Sequence, residues 1–185
     1  TVAALLAAAK AAPGRLTYAS SGDGSPQHLA GLMFETRTKA KLLHVPYKGG
    51  APAVNDTLAG SVDAMFAVMP EAIPHVQAGK LHALAVMSPQ RSPALPNVPT
   101  MAESGFADLS LSAWIGLFAP AKTPRQIIDQ LNRAVQAALD AEMKAKLAEN
   151  GMEVSASTPE ELQQMVARDL KLHAELVKAA GLVPQ

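Results

Sequence analysis

Short apolar segments alternate with helical segments bounded by glycine or proline through the first half of this 185-residue chain. Strands are predicted at 16–19, 41–45, 62–68 and 81–86. Helices are predicted before and between them, at 2–11, 26–36, 51–58 and 71–77. Strands that alternate with helices pair in parallel and are covered on both faces. The pattern therefore predicts an α/β fold with a doubly wound, mostly parallel sheet.

A Gly/Ser-rich loop, Tyr18 to His28, joins the first predicted strand to the following helix. Ser25 suits the N-cap and Pro26 the first helical position, so free N–H groups of the first turn would face the loop. Glycines and hydroxyls beside such a helix terminus are typical of a carboxylate or phosphate site. An ordinary βα turn that needs glycine for its geometry explains the loop equally well, and both interpretations stay open.

Two more loops follow predicted strands, at 46–51 and 68–71. In open parallel sheets, ligands bind beyond the carboxyl ends of the strands. The three loops are therefore expected to line one cleft. Tyr47 and Lys48 precede a glycine pair and a helix start, so they are expected near the ligand, with a merely solvated turn as the alternative.

The second half of the chain is predicted to be mostly helical. Its predicted elements are an extended loop at 88–99, a short helix at 100–104, a strand at 109–118, helices at 124–139, 141–149 and 159–179, and a short strand at 152–155. One face of the first long helix is apolar, at Ile127, Ile128, Leu131, Val135 and Leu139. With Trp114, Ile115, Leu117 and Phe118 it would form a larger apolar patch than soluble monomers normally expose. Fold-back within the chain and pairing with a second chain both remain open, and a homodimer through 111–139 is favoured.

Several classes of function are disfavoured by composition and spacing. A formal net charge of zero argues against a nucleic-acid surface, and the lack of cysteine excludes disulfides and thiolate metal sites. No apolar run reaches the roughly 18 residues of a membrane span. The histidines show no ligand spacing, so no metal site is expected, and no cofactor is predicted.

A hydrolase is the enzymatic alternative, with Ser20 or Ser21 as the nucleophile. No Gly-x-Ser-x-Gly elbow surrounds them, and the sequence shows neither a positioned base nor an orienting carboxylate. His28 is expected to hydrogen-bond the loop rather than act as a base. The chain is therefore expected not to be an enzyme.

Six segments, in order along nearly the whole chain, carry a family resemblance: Tyr18–Gly31, His44–Gly49, Pro74–His75 with Ala78–Lys80, Arg91–Thr100, Trp114–Pro120 and Thr158–Glu161. Together they resemble the Bug-type extracytoplasmic solute receptors of tripartite tricarboxylate transporters. The resemblance implies a periplasmic protein of the type II periplasmic-binding-protein class. It also implies that a small organic carboxylate is bound and delivered to a membrane permease.

The resemblance further implies two parts. Residues 1–110 would be an α/β ligand-binding lobe, and residues 111–185 a crossover strand and C-terminal helices that belong to the first lobe of intact relatives. The chain is expected to lack that N-terminal lobe. An isolated lobe with only structural or oligomeric behaviour is therefore a second alternative.

The loops and the resemblance together select ten candidate ligand-binding residues: Ser20, Ser21, Gly22, Gly24, Ser25, His28, Tyr47, Lys48, Gly49 and Met69. Family members often carry an acidic residue just before the turn at Pro70, where this chain has Phe66-Ala67-Val68-Met69. A plain carboxylate is therefore expected rather than a ligand with an amine.

Overall fold

The computed structural model describes residues 1–179, with a three-stranded parallel sheet at their centre. Its strands are β1 (Thr17–Ser20), β2 (Leu43–Pro46) and β3 (Ala64–Met65), in the order β2-β1-β3. The chain moves from β1 to β2 in one direction and then back past β1 to β3. Because such crossovers are right-handed, the helices within them cover opposite faces of the sheet. The doubly wound α/β prediction is confirmed.

Seven helices are present in the described residues: α1 (Val2–Ala11), α2 (Pro26–Thr38), α3 (Gly50–Leu58), α4 (Met69–Gln77), α5 (Arg125–Ala138), α6 (Ala141–Glu149) and α7 (Pro159–Ala179). Two predicted N-termini form as expected. The Ser25 hydroxyl accepts from the His28 N–H at the start of α2, at 3.2 Å. At the start of α7, Thr158 and Glu161 cap each other's backbone N–H groups at 2.8 and 3.2 Å. No described helix is long and apolar enough to cross a membrane.

The predicted fourth strand is wrong. Residues 81–86 contribute only one isolated bridge, between Val86 and Thr100, and the strand predicted at 62–68 shortens to Ala64–Met65. With only two residues, β3 offers too short an edge to pair a further strand. The helix predicted at 100–104 is a turn, which Gly105 ends in the left-handed region at φ +93°.

The strands predicted at 109–118 and 152–155 are also wrong, because the described residues show no strand in either segment. A strand is stabilised by a ladder of hydrogen bonds to a neighbour. Within residues 1–179 this segment makes one such backbone bond, from the Leu111 N–H to the Met87 carbonyl at 3.0 Å, and none from 112–118. Apolar side chains in this segment instead face solvent: Ile115 is 92% exposed, Leu117 65% and Phe118 64%.

The main core lies between the sheet, α1 and α2. Its buried members are Val2, Ala9, Tyr18, Met33, Phe34, Ala40, Leu42, Met101 and Leu109. Gly31 lets α2 approach β1 closely, because a Cβ there would lie 2.4 Å from the Tyr18 ring. Helix α7 packs against α2. The core therefore fixes α2 on the sheet, and with it the Gly/Ser loop that leads into the first turn of α2.

Candidate functional site

The Gly/Ser loop (residues 18–28) and the turn before α3 join at the carboxyl edge of the sheet. The Tyr47 N–H donates to the Ser20 carbonyl at 3.0 Å, and the Gly49 N–H donates to the Ser21 carbonyl at 3.2 Å. Gly22 has φ +132°, and a Cβ there would lie 3.2 Å from the Tyr47 carbonyl oxygen. The close approach of these two loops therefore depends on glycine at position 22.

Hydrogen bonds within the Gly/Ser loop fix its shape. The Gly22 N–H donates to Ser20 Oγ at 3.1 Å, and the Gly24 N–H donates to His28 Nδ1 at 3.0 Å. The His28 N–H is used by the Ser25 cap. The expectation that the first-turn N–H groups of α2 are free is therefore wrong for His28. Anion binding by this loop stays a prediction and needs donors other than these three.

Two histidines stack beneath the loop. The ring centroids of His28 and His44 lie 3.9 Å apart at 14°, and Tyr18 stacks on His44 at 4.9 Å. Ser20 Oγ lies 2.6 Å from His44 Nε2. Asp23 Oδ1 lies 3.8 Å from His28 Nδ1 and 3.6 Å from His44 Nδ1. Sequence reasoning placed His44 inside a strand without a partner residue, and strand pairing places it directly opposite Tyr18.

The ligand atoms of Asp23, His28 and His44 all lie within 4.8 Å of one another, a separation compatible with a metal ion. The spacing of the histidines in the sequence predicted no such cluster, because residues 28 and 44 are brought together only by the fold. However, His28 Nδ1 already accepts the Gly24 N–H. A metal held by Nδ1, the nitrogen of His28 that faces Asp23, would have to break that bond. The hydrogen bonds in the structure use the cluster to support the loop.

The remaining candidates lie around the same edge. The Tyr47 hydroxyl donates to Asp56 Oδ2 at 2.7 Å, and this bond raises the pKa of Tyr47. Lys48 is exposed at the turn. Met69 begins α4 and packs against Gly151, where a Cβ would lie 2.9 Å from that of Met69. Their contact with a ligand stays a prediction.

Sequence reasoning missed Gln27 and Glu71. Gln27 is 4% exposed and accepts from Ser21 Oγ at 2.8 Å. Its Nε2 donates to Glu71 Oε2 at 3.3 Å, which ties the third loop, at the start of α4, to the first. An acidic residue was expected only before the turn at Pro70, whereas Glu71 follows it in the first turn of α4, at the same edge of the sheet.

A family model described as "Tripartite tricarboxylate transporter family receptor" matches residues 1–182. The chain belongs to this receptor family. BugT of Bordetella pertussis is 37% identical over 179 residues, which are 96% of this chain and 55% of BugT. A protein of Pseudomonas sp. strain P51, from the tcbD-tcbE intergenic region, is 37% identical over 94% of this chain and 52% of its own length. This chain spans about half the length of these curated relatives.

Solved structures share the fold, among them that of the periplasmic binding protein BugD. An R. palustris protein solved with adipate is 33% identical, with a TM-score of 0.93 over all of this chain and 62% of its own. MatC from Rhodopseudomonas palustris, solved with bound malate, is 30% identical, with a TM-score of 0.86 over 95% of this chain and 61% of its own. The fold of this receptor-family chain is therefore that of part of a periplasmic binding protein.

The premise that no base is positioned beside the serines is wrong. Ser20, His44 and Asp23 are arranged in the order of a hydrolase triad, with Ser20 Oγ at 2.6 Å from His44 Nε2. Yet Ser20 is completely buried, and its Oγ also bonds the backbone of Gly22. A nucleophile must reach its substrate, and this oxygen is committed to the loop. The family is one of solute receptors rather than enzymes.

The histidine pair is expected to make the stability of this receptor-family chain depend on pH. Burial lowers the pKa of His28 and of His44, and His28 lowers the pKa of His44 further. The negative charge of Asp23 acts on both pKa values in the opposite direction. A lowered pKa means that the unfolded state binds protons more readily. Stability is therefore full above the ordinary value of 6.5 and falls as the pH drops through the lower folded values.

We expect urea unfolding at pH values between about 7.5 and 5 to show this loss. His28→Asn keeps an acceptor for Gly24 and removes one titrating group, so it should reduce the pH dependence. His82→Asn, at an exposed histidine, is the control and should leave the dependence unchanged. Equal pH dependence in both variants and the parent chain would show that the buried pair does not carry the effect.

Proposed function

We propose that this chain supplies one wall of the solute site of an extracytoplasmic receptor that binds a small organic carboxylate. The observation that carries the proposal is the junction of loops from β1 and β2 at the carboxyl edge of the sheet, in a chain whose family is a receptor family. Ligands of doubly wound folds bind at this edge. Relatives were solved with adipate and with malate, which are both dicarboxylates.

Charge at the edge supports an anionic ligand. Lys48 is exposed beside Gly49. Gly49 is the N-cap residue of α3, and no side chain caps this helix N-terminus. The α3 N-terminus adds partial positive charge to that of the lysine. Nine of the ten candidate residues selected from the sequence belong to this turn or to the loop bonded to it, and the tenth, Met69, begins α4. All ten are proposed to form this wall.

The wider biological role follows from the family and is also proposed. Residues 1–110 would form the ligand-binding lobe, and residues 111–185 would return to the other lobe of a two-lobed receptor. The protein would act in the periplasm and deliver its ligand to a tripartite tricarboxylate transporter permease. A second copy of the chain, bound through 111–139, is a further proposed partner.

The test is an NMR titration of the chain with adipate, using its diamide as an uncharged control. Half of a two-lobed cleft has few contacts, so weak binding at millimolar concentration is expected. Adipate should shift the amides of 20–25 and 47–50, and the diamide should not. Lys48→Gln should weaken adipate binding by about tenfold, on the scale of one partly exposed charge contact.

Lys80→Gln is the matched control, because Lys80 is exposed in the turn after α4 rather than beside the Gly/Ser loop. It should bind adipate like the parent chain. Equal shifts with adipate and its diamide, or shifts confined to other loops, would contradict the proposed carboxylate site.

A further inference from the structure

Three polar side chains form a continuous hydrogen-bonded relay across the site. Ser21 Oγ donates to Gln27 Oε1 at 2.8 Å, and Gln27 Nε2 donates to Glu71 Oε2 at 3.3 Å. The middle member is buried, whereas Ser21 and Glu71 are partly exposed. The relay, here called the 21–27–71 relay, begins in the Gly/Ser loop and ends in the first turn of α4.

The carboxylate of Glu71 fixes the direction of this relay. A carboxylate only accepts hydrogen bonds, so Gln27 must present its NH2 group to Glu71 and its carbonyl oxygen to Ser21. The Ser21 hydroxyl proton is therefore used by Gln27. Only the lone pairs of the Ser21 oxygen remain available to a ligand, so Ser21 acts as a hydrogen-bond acceptor rather than a donor.

Glu71 also lies where three elements meet. Its carboxylate occupies the space that a side chain at position 50 would fill, next to the start of α3. Gly50 therefore admits the carboxylate between α3 and α4. The Glu71 carboxylate therefore places a negative charge at the same edge of the sheet as Lys48, at the end of the relay.

We propose that Glu71 is a specificity-determining residue of the ligand site, acting through Gln27 and Ser21. This inference rests on the proposed carboxylate-binding function and deepens it. The relay makes this side of the site an acceptor with a nearby negative charge. A ligand group that donates hydrogen bonds, such as an amide, amine or hydroxyl, is favoured there over a second carboxylate.

Glu71 changes the ligand class expected from the sequence. The lack of an acidic residue at 66–69 indicated a plain carboxylate, but Glu71 supplies an acid from the next turn. A ligand with one carboxylate and one donor group satisfies both Lys48 and the relay. A dicarboxylate leaves two acceptors facing each other at Ser21 and adds repulsion from Glu71.

Glu71→Gln isolates this effect, because it keeps the shape and removes the charge. The introduced amide can donate to Gln27 Oε1, so Gln27 can turn its own NH2 group to Ser21 and free the Ser21 proton for a ligand. The matched ligands are adipate and adipic acid monoamide, which differ only by carboxylate or carboxamide at one end. Their dissociation constants are measured by NMR titration for the parent chain, Glu71→Gln and Glu142→Gln.

The parent chain should bind the monoamide more tightly than adipate. Glu71→Gln should shift the ratio of the two dissociation constants by about tenfold towards adipate, the scale of one charge contact at a partly exposed site. Glu142→Gln makes the same change of net charge in an exposed first turn, that of α6, and should leave the ratio unchanged. The thermal unfolding of each variant is recorded as well, because a purely structural role would change stability without changing the ratio.

Binding of both ligands with the same ratio in the parent chain and Glu71→Gln would overturn the role of Glu71 and leave the proposed function standing. Failure of both ligands to bind either protein would instead count against the carboxylate site itself, and the role of Glu71 would fall with it.

Discussion

Phe34→Ala is expected to lower the free energy of unfolding by about 3–5 kcal/mol, the usual cost of removing a buried aromatic ring. Phe34 is 2% exposed and lies in the main core, where its ring centroid is 5.8 Å from that of Phe66. Domains are stable by only about 5–15 kcal/mol, so the loss is a large fraction of the total. Urea unfolding followed by far-UV circular dichroism would measure it.

Phe118→Ala is the matched control, because it is the same chemical change at a ring that is 64% exposed. It should cost less than about 0.5 kcal/mol when unfolding is measured at low protein concentration. Similar losses for the two variants would mean that Phe34 does not occupy the main core. Because Phe34 anchors α2, the Phe34 variant should also weaken adipate binding, whereas Phe118→Ala should not.

The elements near the site could be predicted because their signals are local. Ser25-Pro26 and Thr158-Pro159 mark helix starts through caps and a fixed proline φ, and neither signal depends on the rest of the fold. The strands ending at Ser20 and Pro46 are short segments, each followed by a glycine-containing loop that leads into a helix. These signals predicted the sheet, the crossovers and the edge where loops gather.

The predicted strands at 81–86 and 109–118 failed because strand formation is not local. Their apolar residues suit a pleated, buried surface, but a strand also needs a neighbour for its backbone hydrogen bonds. β3 is too short to pair with 81–86, and no described strand lies beside 111–118. The sequence pattern of a segment indicates that it favours a strand, but not whether a neighbouring strand is available to pair with it.

The polar contacts of the site escaped sequence reasoning for a related reason. His28 and His44 are 16 positions apart, and Gln27 and Glu71 are 44 positions apart, so no spacing rule joins them. Only the register of β1 and β2 and the placement of α4 bring them together. The hydroxyl of Ser21 was identified as a candidate, but its direction of donation depends on Glu71.

The chain is expected to associate through the apolar surface at 111–139, as a dimer of twice its mass of 19.3 kDa. A groove of about 410 Å³ runs between 115–119, α5 and 155–166, and its walls are mostly apolar. Helix α7 forms part of its wall through Pro159, Leu162 and Val166. The neighbouring Trp114 Nε1–H donates to Asp169 of the same helix. Large apolar side chains nonetheless remain exposed there: Ile115, Leu117, Phe118, Ile127, Leu131 and Val135. Monomers rarely leave such a contiguous surface in water.

Leu117→Ser is expected to raise the dissociation constant of this dimer by at least about 100-fold. In a two-fold interface each substitution acts twice, and burying one large apolar side chain contributes about 1.5–3 kcal/mol to the free energy of association. Light scattering with sedimentation equilibrium at micromolar concentration measures the effect. Leu43→Ser is the control, because Leu43 is 52% exposed on β2, outside this surface. A parent chain that stays monomeric at tens of micromolar, or equal effects of the two substitutions, would rule out this interface.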